Sequence, residues 1–354
     1  MKHIITFIIF GLLHTLSYGA EPFLWRQSPG SAPIIFPKKD DQTRQEAIEE
    51  YFKKIQETKS LQGLFEESEI QDLIREGKLT HERGIFKSLE PAINDKPRFV
   101  VVTNELDALY KPPHGNGVAN VIKRLEAIGA EVFVLPVVHD LTLDAKESKE
   151  FREKLISLFD AQLILGGDDI DPYLYGEKKS YARNIVRKRD VSELKFVRQF
   201  IEAKQGMNFG ICRGHQMCAV ANHKKLTQDI QIEEHASEIH LNGHHLINID
   251  DSSEVFSAFD KDKLLVNSFH HQAVFVHEGD SVYKIIGSSL DNQPIVEALE
   301  FLNGLGFTFQ FHPELMHDEN GDKILRQFIK LTIKNKILRK LHIGCADLMK
   351  AFFD

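Results

Sequence analysis

The stretch MNFGICRGHQ, Met207 to Gln216, constrains the chain more than any other. Met207 to Ile211 is an apolar run and predicts a buried strand. Gly210-Ile211-Cys212-Arg213-Gly214 closes it, and a helical run from Gln216 to Ala221 follows. Strand, G-x-C-x-G turn and helix make the thiol counterpart of the G-x-S-x-G elbow. Such a turn needs glycines where backbones approach closely, and it strains its central residue. Cys212 would stand over a helix N-terminus, where free N–H groups and the helix dipole favour an anion. A free thiol titrates near ~8.5, so a nucleophilic thiolate also calls for a nearby histidine. Taken alone, the pentapeptide fits a buried structural cysteine equally well.

Two other stretches break that tie. In Gly306 to Glu314, GFTFQFHPE, the alternation of Phe307, Phe309 and Phe311 predicts a strand, and Pro313 ends its ladder pairing. Residues two apart on an extended chain share a face, so His312 and Glu314 can point the same way. That pairs a base with a carboxylate to orient it, as a thiol nucleophile requires. In Leu163 to Glu177, LILGGDDIDPYLYGE, a short strand runs into Gly166-Gly167, whose bare backbone can offer an N–H to an oxyanion.

GICRGHQ, FQFHPE and GGDDIDPYLYGE, together with VNSFHHQAV from Val266 to Val274, resemble the class I glutamine amidotransferase-like superfamily. Within it the chain looks most similar to the gamma-glutamyl hydrolases, especially the gamma-glutamyl-gamma-aminobutyrate hydrolase group, because of the D-I-x-P-x-x-Y-G-E segment. The resemblance covers about Arg98 to Leu338. It implies a flavodoxin-like α/β fold with a mostly parallel sheet sandwiched by helices. It also implies an omega-peptidase type of C–N hydrolase with Cys212, His312 and Glu314 as catalytic residues. Backbone N–H groups of Gly167 and Arg213 would form the oxyanion hole, and no cofactor is implied. Gln216, His270 and His271 become candidate substrate contacts, each with a structural alternative. The chain departs from the family after the elbow helix. Relatives usually carry a glycine pair there, whereas this chain has Asn222-His223-Lys224-Lys225 before Leu226-Thr227-Gln228-Asp229.

The remaining sequence sets the context. Lys2 precedes an apolar run from Ile4 to Leu16, with Ser17, Gly19 and Ala20 after it. This reads as a signal peptide over residues 1–20, shorter than the ~20 apolar residues of a membrane span. Export to the periplasm or the outside follows as an expectation, with no stable membrane insertion after cleavage. Glu21 to Pro37 is Pro-rich and without period, and it reads as a linker or surface strap. Thr43-Arg44-Gln45-Glu46 has capping-box form, and Ile48, Tyr51, Phe52 and Ile55 follow at helical spacing. Ile70, Leu73 and Ile74 suggest a second short helix. Residues 21–96 are thus expected to be a linker and an N-terminal helical extension.

From Pro97 strands alternate with helices, which implies a parallel sheet covered on both faces. Strands are expected at Phe99 to Val102, Glu131 to Val138, Gln162 to Leu165 and Met207 to Ile211. Shorter strands follow Ala221, and a helix is expected from about Lys323 to Leu338. The hydrolase domain is therefore placed at 97–338, with a docked tail at 339–354. Net charge is -8, which argues against a nucleic-acid partner. Of three cysteines, Cys218 lies about 240° round the helix from Cys212 and is expected to pack. Its pairing with Cys345 is open. His235, His240, His244 and His245 fit no zinc spacing, and Asp168, Asp169 and Asp171 fit no EF-hand, so no metal is expected.

The implied activity is hydrolysis of gamma-glutamyl amide bonds in a small molecule or peptide. Two rivals stand beside it: a glutaminase component feeding ammonia to a partner, and a binding protein on the same scaffold. Oligomeric state is open, a homodimer included.

Overall fold

The structure is a computed structural model that describes residues 19–26, 32–58, 85–92, 94–103, 117–259 and 262–353. The signal-like run of residues 1–18 and the helix expected around Ile70 lie outside the described residues.

The chain begins with strands β1 (Glu21–Arg26) and β2 (Ile34–Lys38), helix α1 (Arg44–Glu57) and strand β3 (Ile85–Ser88). Alternation then sets in, with β4 (Arg98–Thr103), α2 (Gly117–Ala127), β5 (Glu131–Pro136), α3 (Ala145–Leu158) and β6 (Ala161–Ile164). Helix α4 (Arg187–Ala203), β7 (Met207–Ile211) and α5 (Arg213–Ala221) complete the elbow region. Shorter elements follow: β8 (Lys225–Thr227), α6 (Ile230–Glu233), β9 (Gly243–Ile249), β10 (Lys263–Ser268), β11 (Ala273–Phe275), β12 (Tyr283–Ser289), β13 (Val296–Phe301) and β14 (Gly306–Phe309). Helix α7 (Glu319–Phe353) ends the chain.

Twelve strands form one sheet in the order β10-β9-β12-β13-β14-β7-β6-β4-β5-β2-β1-β3. Its centre, β14 to β2, is parallel, and antiparallel pairs extend it on both sides. This is the α/β architecture expected from the alternation. The parallel strands are buried on both faces, so β4 (RFVVVT) is buried throughout. Phe209 of β7 stacks on Phe328 of α7 at 4.1 Å, which seats that helix on the sheet.

Two expectations are corrected. Glu21 to Pro37 is not a linker or strap: its residues supply β1 and β2, which pair with each other and join the main sheet through Ile34 and Val134. Leu24, Trp25, Ile35 and Phe36 are buried on both faces, so the segment shows no alternation, and two of its prolines, Pro22 and Pro37, sit opposite one another near the strand ends. The region from Lys340 is not a separate tail, because the backbone of α7 continues as helix to Phe353. The capping box is present as expected: Thr43 Oγ1 accepts from Glu46 N at 3.2 Å and Glu46 Oε2 accepts from Thr43 N at 2.7 Å. Ile48, Tyr51, Phe52 and Ile55 form the buried face of α1, and Tyr51 meets Phe36 of β2 edge-on at 5.2 Å.

The topology positions the candidate site. β6, β7 and β14 are parallel neighbours. Their carboxyl ends lead into Gly166-Gly167, Cys212 and His312, respectively. Ligands of open α/β sheets bind at such ends.

Candidate active site

Cys212 follows β7 with φ 53° and ψ −112°, a conformation L residues rarely hold. The flanking glycines make it feasible. A Cβ at Gly210 would lie 2.5 Å from Gly214 O, and one at Gly214 would lie 2.0 Å from Ile164 O. The backbones of β6, β7 and α5 therefore pack more tightly than any side chain would allow. The Cys212 N–H donates to Phe309 O at 2.7 Å, which ties the elbow to the end of β14. Cys212 itself is 7 % exposed.

His312 lies three residues beyond β14. Its Nδ1 is 2.7 Å from Glu314 Oε1, so the carboxylate fixes the ring. A Cβ at Gly166 would meet His312 Cε1 at 3.1 Å and Cys212 Cβ at 3.7 Å. Both side chains thus border the same glycine. Burial would lower the His312 pKa, but the charges of Cys212 and Glu314 outweigh it and hold the imidazole well above its ordinary value. A cysteine, an imidazole and a carboxylate in this order can perform nucleophilic attack with proton transfer.

Two supporting residues escaped the sequence reading. Asn267 clamps the His312 backbone from both sides: Oδ1 accepts from His312 N at 2.8 Å, and Nδ2 donates to His312 O at 2.9 Å. Arg124 of α2 donates to Pro313 O at 3.0 Å and to Glu314 O at 2.9 Å, and it pairs with Asp322 at 2.8 Å. Asn267 lay inside the VNSFHHQAV motif, whereas nothing near Arg124 in sequence signals its role.

The candidate oxyanion donors also come together. Arg213 is the first residue of α5, so its N–H has no acceptor within the helix. Gly167 has φ 155°, and a Cβ there would lie 3.2 Å from Arg213 Cδ. The Arg213 side chain points inward, to Asp190 at 2.8 Å and to Glu193. Burial would lower its pKa, but those two carboxylates raise it. Arg189 joins the same network through Asp190 at 2.9 Å and donates to the carbonyls of Asp168 and Asp169. The Asp168–Asp171 loop is therefore anchored from α4. Asp171 caps the turn at Tyr173 and pairs with Arg187 at 2.6 Å.

The candidate substrate contacts are engaged within the protein. Gln216 Nε2 donates to Gln272 O at 3.3 Å and to Gln310 Oε1 at 3.1 Å. His271 Nε2 is 2.9 Å from Asp169 Oδ2, and the hydrogen bond to that carboxylate raises the His271 pKa. His270 contacts Gln272 O, His240 and Glu297. His240 and His245, whose spacing fits no zinc motif, meet His270 and Glu297 in the fold. Among the described residues these four are the group whose ligand atoms could hold a metal ion. Cys218 is a free, fully buried thiol, and the side chain of Cys345 lies outside the described ones. In the glycine-poor turn after α5, His223 takes φ 62° and so adopts a left-handed conformation that glycine would adopt without strain.

The chain is similar to several known proteins. The peptidase C26 family model matches residues 114–314, a span that contains Gly166, Cys212, His312 and Glu314. YvdE, a glutamine amidotransferase-like protein of Lactococcus lactis subsp. lactis, is 30% identical over 212 residues, covering 55% of this chain and 80% of YvdE. A glutamine-hydrolyzing GMP synthase subunit of Ignicoccus hospitalis is 27% identical over 148 residues, covering 40% of this chain and 69% of that protein. The crystal structure of a GMP synthase subunit from Thermoplasma acidophilum aligns with TM-score 0.49 and 17% identity over 69% of this chain and 98% of that one. The chain belongs to the peptidase C26 family of glutamine amidotransferase-like proteins.

Proposed function

We propose that this protein hydrolyses gamma-glutamyl amide bonds in small molecules or peptides through a glutamyl thioester on Cys212. The observation that carries the reading is the strained Cys212 beside a His312 whose Nδ1 lies 2.7 Å from Glu314. In this mechanism the Cys212 thiolate attacks the side-chain amide carbonyl. The N–H groups of Arg213 and Gly167 hold the oxyanion. His312 gives its proton to the leaving amine as the C–N bond breaks. Water then attacks the thioester, His312 takes a proton from it, and the thiolate leaves. The products are the free amine and the gamma-carboxylate. Glu314 holds the imidazole in position and stabilises its charge.

The D-I-x-P-x-x-Y-G-E segment after Gly167 supports the gamma-glutamyl assignment over ammonia supply to a synthetase. The apolar run from Ile4 to Leu16 supports an exported protein, separated from ATP-using partners. The names of the GMP synthase relatives motivate the second reading, a glutaminase component working with a partner.

The test is a screen of gamma-glutamyl compounds with purified mature protein, following the released amine by mass spectrometry. Release from gamma-glutamyl amines by the wild type and not by Cys212→Ala is expected. Activity confined to glutamine, with copurification of an ATP-using enzyme, would instead establish the glutaminase reading.

A further inference from the structure

We propose that His240, His245, His270 and Glu297 form a buried metal site, and that zinc fits it best. The proposal does not rest on the hydrolase reading, and the failure of either would leave the other standing.

The donor atoms converge on one another at the spacing of metal ligands. Glu297 Oε1 lies 3.4 Å from His240 Nδ1, 3.4 Å from His245 Nε2 and 3.5 Å from His270 Nε2. His240 Nδ1 lies 3.3 Å from His270 Nε2. The two remaining separations do not exceed 4.8 Å. Zinc bonds of about 2.0–2.1 Å place tetrahedral donors about 3.3–3.4 Å apart, which matches the four shorter separations. Good N–H···O hydrogen bonds are shorter, about 2.7–3.2 Å.

The outer hydrogen bonds give a second, independent indication. His240 Nε2 faces Asp291 Oδ2 at 2.8 Å, His270 Nδ1 faces Gln272 O at 3.0 Å, and His245 Nδ1 faces Leu246 O at 3.3 Å. Carbonyl and carboxylate oxygens accept, so in each neutral ring the outward nitrogen carries the proton. The inward nitrogens then present lone pairs toward one another and toward Glu297. Metal-bound histidines are oriented in this way by carbonyls and carboxylates behind them.

Burial makes the arrangement costly unless a proton or a metal cation lies within it, and only a metal ion engages all four inward donors at once. Glu297 is 0 % exposed, and neither of its carboxylate oxygens has a hydrogen-bond partner. His245 Nε2 is also buried and unpartnered. Converging lone pairs around a buried carboxylate repel one another unless a positive charge lies among them. Zinc supplies that charge and takes N and O ligands.

The four ligands come from the turn before β9, from β9, from the loop after β10 and from β13. A bound ion would staple that loop. Just before it, in β10, Asn267 holds His312, and within it Gln272 O accepts from both His270 and Gln216. With four protein ligands, the role is structural.

The experiment uses untagged full-length protein purified without metal resins, with bound metals measured by plasma mass spectrometry. About one zinc per chain is expected, together with a fall in Tm on strong chelation and its recovery on adding zinc. Cobalt added to the chelated protein should give the intense visible bands of a tetrahedral site. Glu297→Gln and His245→Gln should lose the equivalent and the bands, while His244→Gln, at a neighbouring position outside the cluster, should keep both. Wild-type protein that holds no metal, gains no Tm with zinc and gives no tetrahedral cobalt bands would overturn the proposal. Retention of the equivalent in a folded Glu297→Gln, His245→Gln double variant would overturn it too.

Discussion

The Cys212 N–H donates to the Phe309 carbonyl at 2.7 Å, so the end of β7 is fastened to the end of β14 three residues before His312. The candidate nucleophile and base, Cys212 and His312, are distant in sequence but follow the ends of adjacent parallel strands. Their relative position is therefore fixed by sheet register rather than by a flexible loop.

Cys218 provides the internal control for thiol chemistry. It is fully buried, and burial pushes its thiol pKa up. A gamma-glutamyl electrophile or iodoacetamide should label Cys212 in folded protein and leave Cys218 unmodified. Peptide mapping checks this, and preferential labelling of Cys218 would contradict the placement of the reactive thiol. Cys218→Ala should keep most of the activity.

The glycine against both candidate side chains should tolerate little. A Cβ at Gly166 would come within 3.1 Å of His312 Cε1, so Gly166→Ala must displace the ring by a few tenths of an ångström. Misplacement of that kind should lower kcat by up to about 10²-fold. Global stability, followed by urea unfolding, should change far less than activity.

The N-terminal strands can be separated from a surface strap by one substitution. Trp25 is fully buried in β1. Trp25→Ala should destabilise the protein by about 3–5 kcal/mol in urea unfolding. A residue in an exposed strap would change stability by only about 0.5 kcal/mol.

Legibility from sequence followed the local character of each signal. The strand MNFGI is read with its observed bounds, because its apolar run and its glycine elbow lie side by side. The His312–Glu314 pair is likewise legible, since a spacing of two on extended chain puts both on one face. β1 and β2 were missed because Leu24, Trp25, Ile35 and Phe36 are buried without alternation, and because Pro22 and Pro37 look like linker residues. Arg124, which fixes the backbone of Pro313 and Glu314, acts across 190 residues and leaves no local pattern. The same holds for the His240, His245, His270 and Glu297 group, whose members meet only through the folding of β9, β10 and β13.

A pH prediction comes from His139, which is fully buried between Phe151 and Phe196. Burial lowers its pKa from 6.5 to about 4. A depressed folded pKa means that its stability contribution is complete above the unfolded value near ~6.5 and is lost as pH falls toward the folded value. The loss is on the order of 3 kcal/mol across that window. Unfolding free energies of wild type and His139→Phe, measured from pH 7 to pH 4, should diverge in slope by about one proton. Parallel curves would show that His139 does not titrate in this way.

The turn after α5 gives a stabilising substitution. His223 holds a left-handed φ of 62°, which costs a non-glycine residue about 1–2 kcal/mol, partly offset by the greater unfolded-state entropy of glycine. His223→Gly should therefore raise stability, by up to about 1 kcal/mol, without changing kcat/KM. A destabilised variant would mean that the imidazole contributes more than its backbone strain costs.

The covalent step is the centre of the account, and His312→Asn isolates it. A gamma-glutamyl anilide with an electron-poor ring needs little protonation on leaving, so acylation should partly survive in this variant. Deacylation still needs a base and should slow by about 10²–10⁴-fold. Acid-quenched His312→Asn, mixed with that anilide and analysed by intact mass and peptide mapping, should carry one glutamyl group on the Cys212 peptide. Hydroxylamine should remove it, and the His312→Asn, Cys212→Ala double variant should carry none. Anilide turnover in Cys212→Ala at the wild-type rate, or a glutamyl group mapped to another residue, would contradict the mechanism.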